Sequence, residues 1–208
     1  MSMLIKEVGV RVTQQAKQET RQRILDAGIT LFGSKGFDET TTRDISREAG
    51  IAVGTLFNYF PAKEAIVLSL VSDRLAAAGL EFHKRLDSTS TSLAERLFAH
   101  VATGLRKLRP CRKFLSTTIE SCLSPATLTD GNQSIRSDHL EAVTALITDD
   151  GAAELPSAMA LQLYWTLYTG VLSFWVRDTS PHQEDTLAML DQSINMFVAW
   201  LDTQDADA

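Results

Sequence analysis

The chain is poor in cysteine, and the two cysteines that it has do not form a recognisable site. Cys111 and Cys122 lie eleven positions apart among 208 residues, with no Cys-x-x-Cys pair and no histidine at ligand spacing. We interpret each as a structural thiol, with a redox-sensing pair as the alternative. No metal site is predicted.

Sequence motifs of common enzymes are also missing. The four histidines form no His-Glu-x-x-His run, and the chain has neither a phosphate-binding glycine loop nor a Gly-x-Ser-x-Gly nucleophile turn. An α-helical enzyme is therefore the weaker hypothesis, to be revived only by measurable turnover. We expect a protein that is not an enzyme and that needs no cofactor.

Long apolar runs are few. The N-terminus lacks the apolar stretch of a signal peptide, so we expect a cytoplasmic protein. Leu155–Val176 has no charged residue over twenty-two positions, which is long enough for a membrane span. Pro156 and Gln162 favour a buried helix instead, and we predict no membrane association.

Charge is unevenly distributed along the chain. The net charge is −6, but Met1–Ala65 carries nine Lys and Arg against eight Asp and Glu, or +1, which leaves −7 for the remainder. A near-neutral first part joined to an acidic remainder is typical of a protein that touches nucleic acid with one end only.

The stretch Thr40–Lys63, TTTRDISREAGIAVGTLFNYFPAK, carries the strongest functional signal. Ile45 and Ala49 lie on one helical face, and the apolar spacing resumes after Gly50. A glycine at this point permits the left-handed backbone that ends a helix abruptly. The spacing predicts a helix-turn-helix whose second helix, about Val53–Tyr59, would lie in the major groove of DNA.

Residue types around this turn suit DNA chemically. Thr41 and Thr42 are both candidate N-caps, and Asp44 lies at capping-box spacing from Thr41. Small residues on the second helix would let its backbone approach base edges. A surface helical hairpin with a solvated face is the alternative. The candidate DNA-contact residues are Thr41, Thr42, Arg43, Ala52, Val53, Gly54, Thr55, Tyr59 and Lys63.

The order of spaced residues in this region resembles a known family. Thr42-x-x-Ile45-x-x-x-Ala49-Gly50-Ile51-x-x-Gly54-x-Leu56-Phe57-x-Tyr59-Phe60-x-x-Lys63-Glu64 is similar to the N-terminal signature of TetR-type transcriptional regulators. The resemblance implies an all-α homodimer whose N-terminal three-helix domains bind operator DNA and whose C-terminal domain binds a small molecule. Ala52 and Phe57 depart from the pattern, because a hydroxyl is usual at both positions.

Within the second part of the chain, apolar helical patterns predict a helical domain. A long helix from about Ala62 to Arg85 would link the two parts, and an effector would bind in the apolar interior between this helix and the last two. Aromatic residues at helical spacing are more often core than ligand contacts, and that alternative stays open here. The candidate effector-binding residues are Phe114, Tyr164, Trp165 and Tyr168.

The last predicted helix carries two apolar stripes and therefore needs two partners. One stripe holds Met189, Met196 and Trp200. We expect a second subunit to cover one stripe in a four-helix interface, with a monomer as the alternative. The candidate interface residues form the other stripe: Leu187, Leu190, Ile194, Phe197 and Leu201.

These observations combine into one prediction for the whole chain. Residues 1–65 would form a DNA-binding domain with an irregular N-terminal arm over Met1–Lys17, and residues 66–208 an effector-binding and dimerisation domain. The function predicted is a ligand-responsive repressor that leaves a palindromic operator when a small apolar or amphipathic effector binds. Control by a protein partner, without a small molecule, is the alternative.

Overall fold

The computed structural model describes residues 2–85, 91–115, 130–150 and 155–206, with side chains for 13–84, 91–115, 134–150 and 155–204. No β-strand occurs in these residues, and the all-α prediction is confirmed. The chain divides into two compact units, Met1–Leu70 and Val71–Ala208, which we call the head and the body. The boundary proposed from the sequence, at residues 65 and 66, lies in the same helix as this division.

Helices follow one another along the chain in both units. The head contains α1 (Ser2–Ser34), α2 (Thr42–Glu48), α3 (Val53–Phe57) and the start of α4 (Lys63–Arg85), which continues into the body. The body contains α5 (Leu93–Leu108), a 3-10 turn at Arg109–Cys111 that continues as helix to residue 115, α6 (Asp130–Asp149), α7 (Ala158–Trp175), a 3-10 turn at Pro181–Gln183, and α8 (Glu184–Ala206).

The first helix is longer than the sequence suggested. An irregular arm was expected over Met1–Lys17, but the backbone is helical from Ser2 onward. No proline occurs between Ser2 and Ser34, so nothing in the segment forces the helix to end. The weak apolar period therefore indicated a helix without a strongly apolar face rather than an absence of helix.

The core of the head is built where α1, α2, α3 and the first turns of α4 meet. Phe32, Ile45 and Leu56 are fully buried there, and each contributes about 1.5–3 kcal/mol through burial. Gly28 on α1 lies so close to α4 that a Cβ at this position would be 2.9 Å from Cγ2 of Ile66. The missing side chain therefore sets the distance between these two helices.

The turn between α2 and α3 has the geometry predicted for Gly50. This glycine has a φ of 65°, in the left-handed region, and its N–H donates to the carbonyl of Arg47 at 3.2 Å. The N–H of Ile51 donates to the carbonyl of Ser46 at 3.0 Å. These two bonds form a Schellman motif, which ends α2 within one residue and redirects the chain into α3.

In the body, α7 is buried on one side. Tyr164, Trp165 and Trp175 are buried, whereas Met159 is 71% exposed and Phe174 is 40% exposed. The prediction that this segment forms a buried helix is therefore right for one face only. Among the described residues no helix is long and apolar enough to cross a membrane.

The structure corrects part of the expected dimer interface. Leu190, Ile194 and Phe197 are buried inside a single chain, and Phe197 packs edge-on against Tyr164 with ring centroids 5.4 Å apart. Leu187 is 38% exposed, and Leu201 is partly exposed. Periodicity revealed two apolar stripes, but it could not tell which one faces the core of the chain.

Cys111 is a buried free thiol, and burial raises its pKa. A thiol in this environment reacts poorly, which agrees with the structural interpretation of this residue. Cys122 lies outside the described residues.

Candidate DNA-binding surface and effector cavity

The start of α2 is fixed by a reciprocal capping box. The Thr41 hydroxyl accepts a hydrogen bond from the N–H of Asp44 at 3.1 Å, and the Asp44 carboxylate accepts one from the N–H of Thr41 at 3.1 Å. The same carboxylate binds Lys35 and Arg47, each at 2.8 Å. These bonds, that from Lys35 foremost, hold the pKa of Asp44 well below its usual range.

The capping box changes the role expected for Thr41. Its hydroxyl also donates to the Asp44 carboxylate at 2.8 Å, so both of its hydrogen-bonding functions are used inside the head. Thr42 and Arg43 are more available, because no hydrogen bond or ion pair of their side chains to another described residue is seen, and Arg43 is exposed. Of these three predicted contacts, the geometry favours Thr42 and Arg43.

Lys63 is engaged within the head as well. Its ammonium donates to the carbonyl of Phe37 at 2.8 Å and lies 4.2 Å from the centre of the Phe37 ring. It also contacts the carbonyls of Asp38 and Thr40, both at 3.3 Å. Three carbonyls are within reach of its three N–H donors, so Lys63 joins the start of α4 to the loop before α2. Its contact with DNA stays a prediction.

On α3 the small residues remain accessible. Ala52 and Gly54 are exposed, Val53, Thr55 and Tyr59 are partly exposed, and Leu56 is fully buried. Ala52 is the N-cap of α3 and makes no side-chain capping bond, as its missing hydroxyl predicts. A Cβ at Gly54 would meet no atom within 4 Å, so this glycine leaves an open surface toward solvent.

Two residues at the end of α3 were missed as candidates. Phe57 is 49% exposed although it is a large apolar residue, and the neighbouring Asn58 is also exposed. Burial of an aromatic ring is the usual outcome, and Phe57 lies instead beside the accessible small residues of α3. The sequence carried one signal for it, the departure from a tyrosine at position 57.

The body encloses a cavity of about 170 Å³. It lies among α4, α5, α6 and α7, and most of its lining is small or apolar. The exceptions with polar groups are Ser72, His100, Asp138, His139 and Tyr168. The complete lining is Ser72, Leu75, Ala76, Ala78, Gly79, His100, Val101, Gly104, Ile135, Asp138, His139, Ala142 and Tyr168.

Of the four predicted effector residues, Tyr168 alone lines this cavity. Tyr164 lies behind it, with its hydroxyl 3.0 Å from Nε2 of the buried His139. Trp165 is packed beneath the guanidinium of Arg136, 5.4 Å from the ring centre, and Phe114 is buried without lining the cavity. Sequence reasoning did not select His100 and His139, because they lie 39 residues apart on different helices and share no local motif.

Comparison with known proteins identifies the family. Residues 24–70 match the model described as bacterial regulatory proteins, tetR family, and residues 96–208 match the model described as tetracyclin repressor-like, C-terminal domain. The chain belongs to the TetR family. The two matched regions correspond to the helix-turn-helix of the head and to the helical body.

Individual TetR-family relatives match over shorter stretches. The repressor KstR of Mycolicibacterium smegmatis is 34% identical over 83 residues, covering 35% of this chain and 41% of that protein. The regulator AcrR of Shigella flexneri is 29% identical over 94 residues, covering 44% of each. The matched stretches thus span less than half the length of these relatives.

Solved TetR-family structures share the fold over most of the chain. A TetR regulator from Rhodococcus sp. RHA1 superposes with a TM-score of 0.68 at 20% identity, covering 87% of this chain and 97% of that one. Thermus thermophilus FadR, solved in complex with lauroyl-CoA, has a TM-score of 0.67 at 22% identity, covering 86% and 93%. At this level of identity the likeness concerns the fold alone.

Proposed function

We propose that this TetR-family protein is a homodimeric repressor that binds a palindromic operator and releases it when a small molecule enters the body. The observation that supports it most directly is the surface of α3. Ala52, Gly54 and Asn58 are exposed there, on a short helix that a glycine turn and a capped α2 hold in place. Small exposed residues on a recognition helix let the backbone approach base edges in the major groove.

DNA contacts divide into two chemical classes. Thr42 and Arg43 are proposed to bind phosphates, because their polar groups have no partner among the described residues. Val53, Thr55 and Phe57 are proposed to contact bases, where methyl and ring surfaces favour the thymine methyl group. Tyr59 is proposed at the edge of this surface.

Effector binding is proposed for the cavity of the body. Cavities of about 150 Å³ with apolar walls hold a benzene molecule, and the present one has about 170 Å³. Two FadR proteins with related folds were solved with lauroyl-CoA and with stearoyl-CoA. A long acyl chain needs far more space than this cavity offers, so we propose an effector of a different and smaller class.

The helix α4 is the proposed route of the signal. Ser72, Leu75 and Gly79 of α4 line the cavity, and Lys63, at the start of the same helix, binds the loop before α2. A ligand that displaces the cavity-lining turns of α4 would also act on the start of the same helix at Lys63. This proposal requires that the ligand bind the conformation that releases DNA more tightly than the conformation that binds it.

A second subunit is proposed to cover the exposed apolar residues of α7 and α8. Met159 and Phe174 on α7 and Met189 and Met196 on α8 are between 36% and 71% exposed. Met189 and Met196 are seven residues apart and therefore share one side of α8. A dimer would present two copies of α3 to half-sites about 34–36 Å apart, or a multiple of a helical turn.

The decisive experiment is selection of bound DNA from a random pool, with the wild-type protein and the Thr55→Ala variant. We expect a palindromic motif for the wild type and a changed preference at one position in each half-site for the variant. Thr148→Ala, at an exposed threonine on α6, is the matched control and should select the wild-type motif. A motif that is identical for all three proteins would remove α3 from base recognition.

Adding small molecules to the selected complex tests the second half of the proposal. Release of the operator by a molecule that binds the body supports effector control. If no small molecule releases the operator but a protein from the same cell does, control by a protein partner replaces effector control as the proposal.

A further inference from the structure

The cavity in the body has a size and a lining that restrict the chemistry of its ligand. Its volume of about 170 Å³ accommodates one six-membered ring with a small substituent. Tyr168 lies in the wall, stacked on His139 with ring centroids 4.1 Å apart. The lining therefore offers aromatic surface to a flat ring, and leaves no room for a long chain.

His100 lines the wall and, like the Tyr168 hydroxyl, has no hydrogen-bond partner among the described residues. Its ring lies 5.2 Å from Phe82, edge-on, and 5.2 Å from His139. No hydrogen bond joins His100 to another of the residues that the structure describes. Burial, and to a smaller extent the charge of His83, lower the pKa of His100 to about 4, so the imidazole is neutral at pH 7 and offers one donor and one acceptor.

His139 differs from His100 because it is already fixed. Its Nε2 is hydrogen-bonded to the Tyr164 hydroxyl at 3.0 Å, and burial keeps its pKa well below the usual value. His139 and Tyr168 thus form an aromatic wall, in which the hydrogen bond to Tyr164 holds the His139 ring in place. His100 keeps both of its ring nitrogens free of hydrogen bonds to the described residues, so a ligand can bond to either of them.

The charge of the lining excludes anions. No Lys or Arg is among the lining residues, and both histidines are neutral. The one charged side chain is Asp138, which is exposed and therefore lies toward the solvent side of the cavity. A carboxylate or phosphate would lose its hydration and gain no countercharge there.

We infer that this cavity binds a neutral aromatic molecule of one ring that carries a hydroxyl or amino group, with that group hydrogen-bonded to His100. The inference rests on the proposed function and names the chemical class of its effector. His100 is the residue that recognises the polar substituent, and the wall of His139 and Tyr168 receives the ring.

Phenol, toluene and benzoate are suitable probes, because they share a ring and differ in the substituent. Calorimetric titration of the full-length protein should show phenol binding about tenfold more tightly than toluene, the value of one hydrogen bond. Benzoate should not bind measurably. Equal affinity for phenol and toluene, tighter binding of benzoate, or no binding of any probe at millimolar concentration would each overturn the inference.

Variants of His100 identify the group that is responsible. His100→Leu should lower the affinity for phenol about tenfold and leave that for toluene unchanged or increased, and His100→Gln should retain phenol binding. His83→Gln is the matched control, since His83 is an exposed histidine outside the lining. An undiminished preference for phenol in His100→Leu would assign recognition to another residue.

The same probes separate this inference from the proposed function. A protein that selects an operator but does not bind phenol refutes the inference and leaves the regulator proposal in place. A protein that binds phenol through His100 but selects no DNA refutes the regulator proposal alone. Binding of phenol that does not release a selected operator confirms the ligand class and refutes its role as effector.

Discussion

The hydroxyl of Tyr164 on α7 and Nε2 of His139 on α6 lie 3.0 Å apart in the interior of the body. Both side chains are buried, and both are uncharged at neutral pH, because burial raises the pKa of Tyr164 and lowers that of His139. The bond therefore joins two neutral groups across two helices, directly behind the wall of the cavity.

Replacing Tyr164 by phenylalanine should destabilise the body. The change removes the hydroxyl and leaves a buried polar atom of His139 unsatisfied, which costs about 1–3 kcal/mol. Urea unfolding followed by circular dichroism measures the loss. Tyr168→Phe is the control, because no hydrogen bond of the Tyr168 hydroxyl to another described residue is seen. Equal losses in the two variants would show that the bond to His139 contributes nothing.

Arg43 and Lys63 should affect DNA binding for different reasons. Arg43→Ala should weaken binding to specific and non-specific DNA alike and reduce the slope of log affinity against log salt by about 1, with the melting temperature unchanged. Lys63→Ala should lower the melting temperature of the head, since three carbonyls lose their donor. Fluorescence anisotropy at several salt concentrations measures the salt slope of DNA binding, and calorimetry measures the melting temperature. Together they distinguish the two variants. A reduced salt slope in Lys63→Ala at full stability would instead assign Lys63 to the DNA contact predicted from the sequence.

A charge on the exposed methionine stripe of α8 should prevent dimerisation. Met196 is 65% exposed in the single chain, so Met196→Glu should leave the fold intact and place a charge in the proposed interface. Leu187→Glu is the matched control. Leu187 lies nine residues before Met196, which places it on the opposite side of α8. Sedimentation velocity should give monomers for the first variant and dimers for the second. The reverse result would move the interface to the Leu187 side.

Stability should fall on the acid side because of His100. Its pKa is lowered to about 4 in the folded chain, against about 6.5 in the unfolded one, so the unfolded state binds the extra proton. The neutral form of His100 therefore contributes its full stabilisation of the folded state above pH 6.5. This contribution is lost as the pH falls toward 4. The melting temperature of His100→Gln should therefore decrease less between pH 7 and pH 5 than that of the wild type. His182→Gln, at an exposed histidine that is not among the groups acting on His100, should follow the wild type.

The local sequence determined the helices and the turn that carry the DNA-binding surface. Thr41 and Asp44 are three residues apart and form their capping box from that spacing alone, and Gly50 ends α2 because the left-handed backbone is easiest for glycine. These interactions lie within one or two helical turns, so residue order is sufficient to predict them.

Only the tertiary structure decided which side of each helix meets the core. It buried Leu190, Ile194 and Phe197 in the body, left Met196 outside, and engaged Lys63 with carbonyls far away in the sequence. It also brought His100 of α5 beside His139 of α6. Apolar period and residue type are the same for a stripe that faces its own chain and for one that faces a partner, and contacts between distant segments depend on how the helices pack.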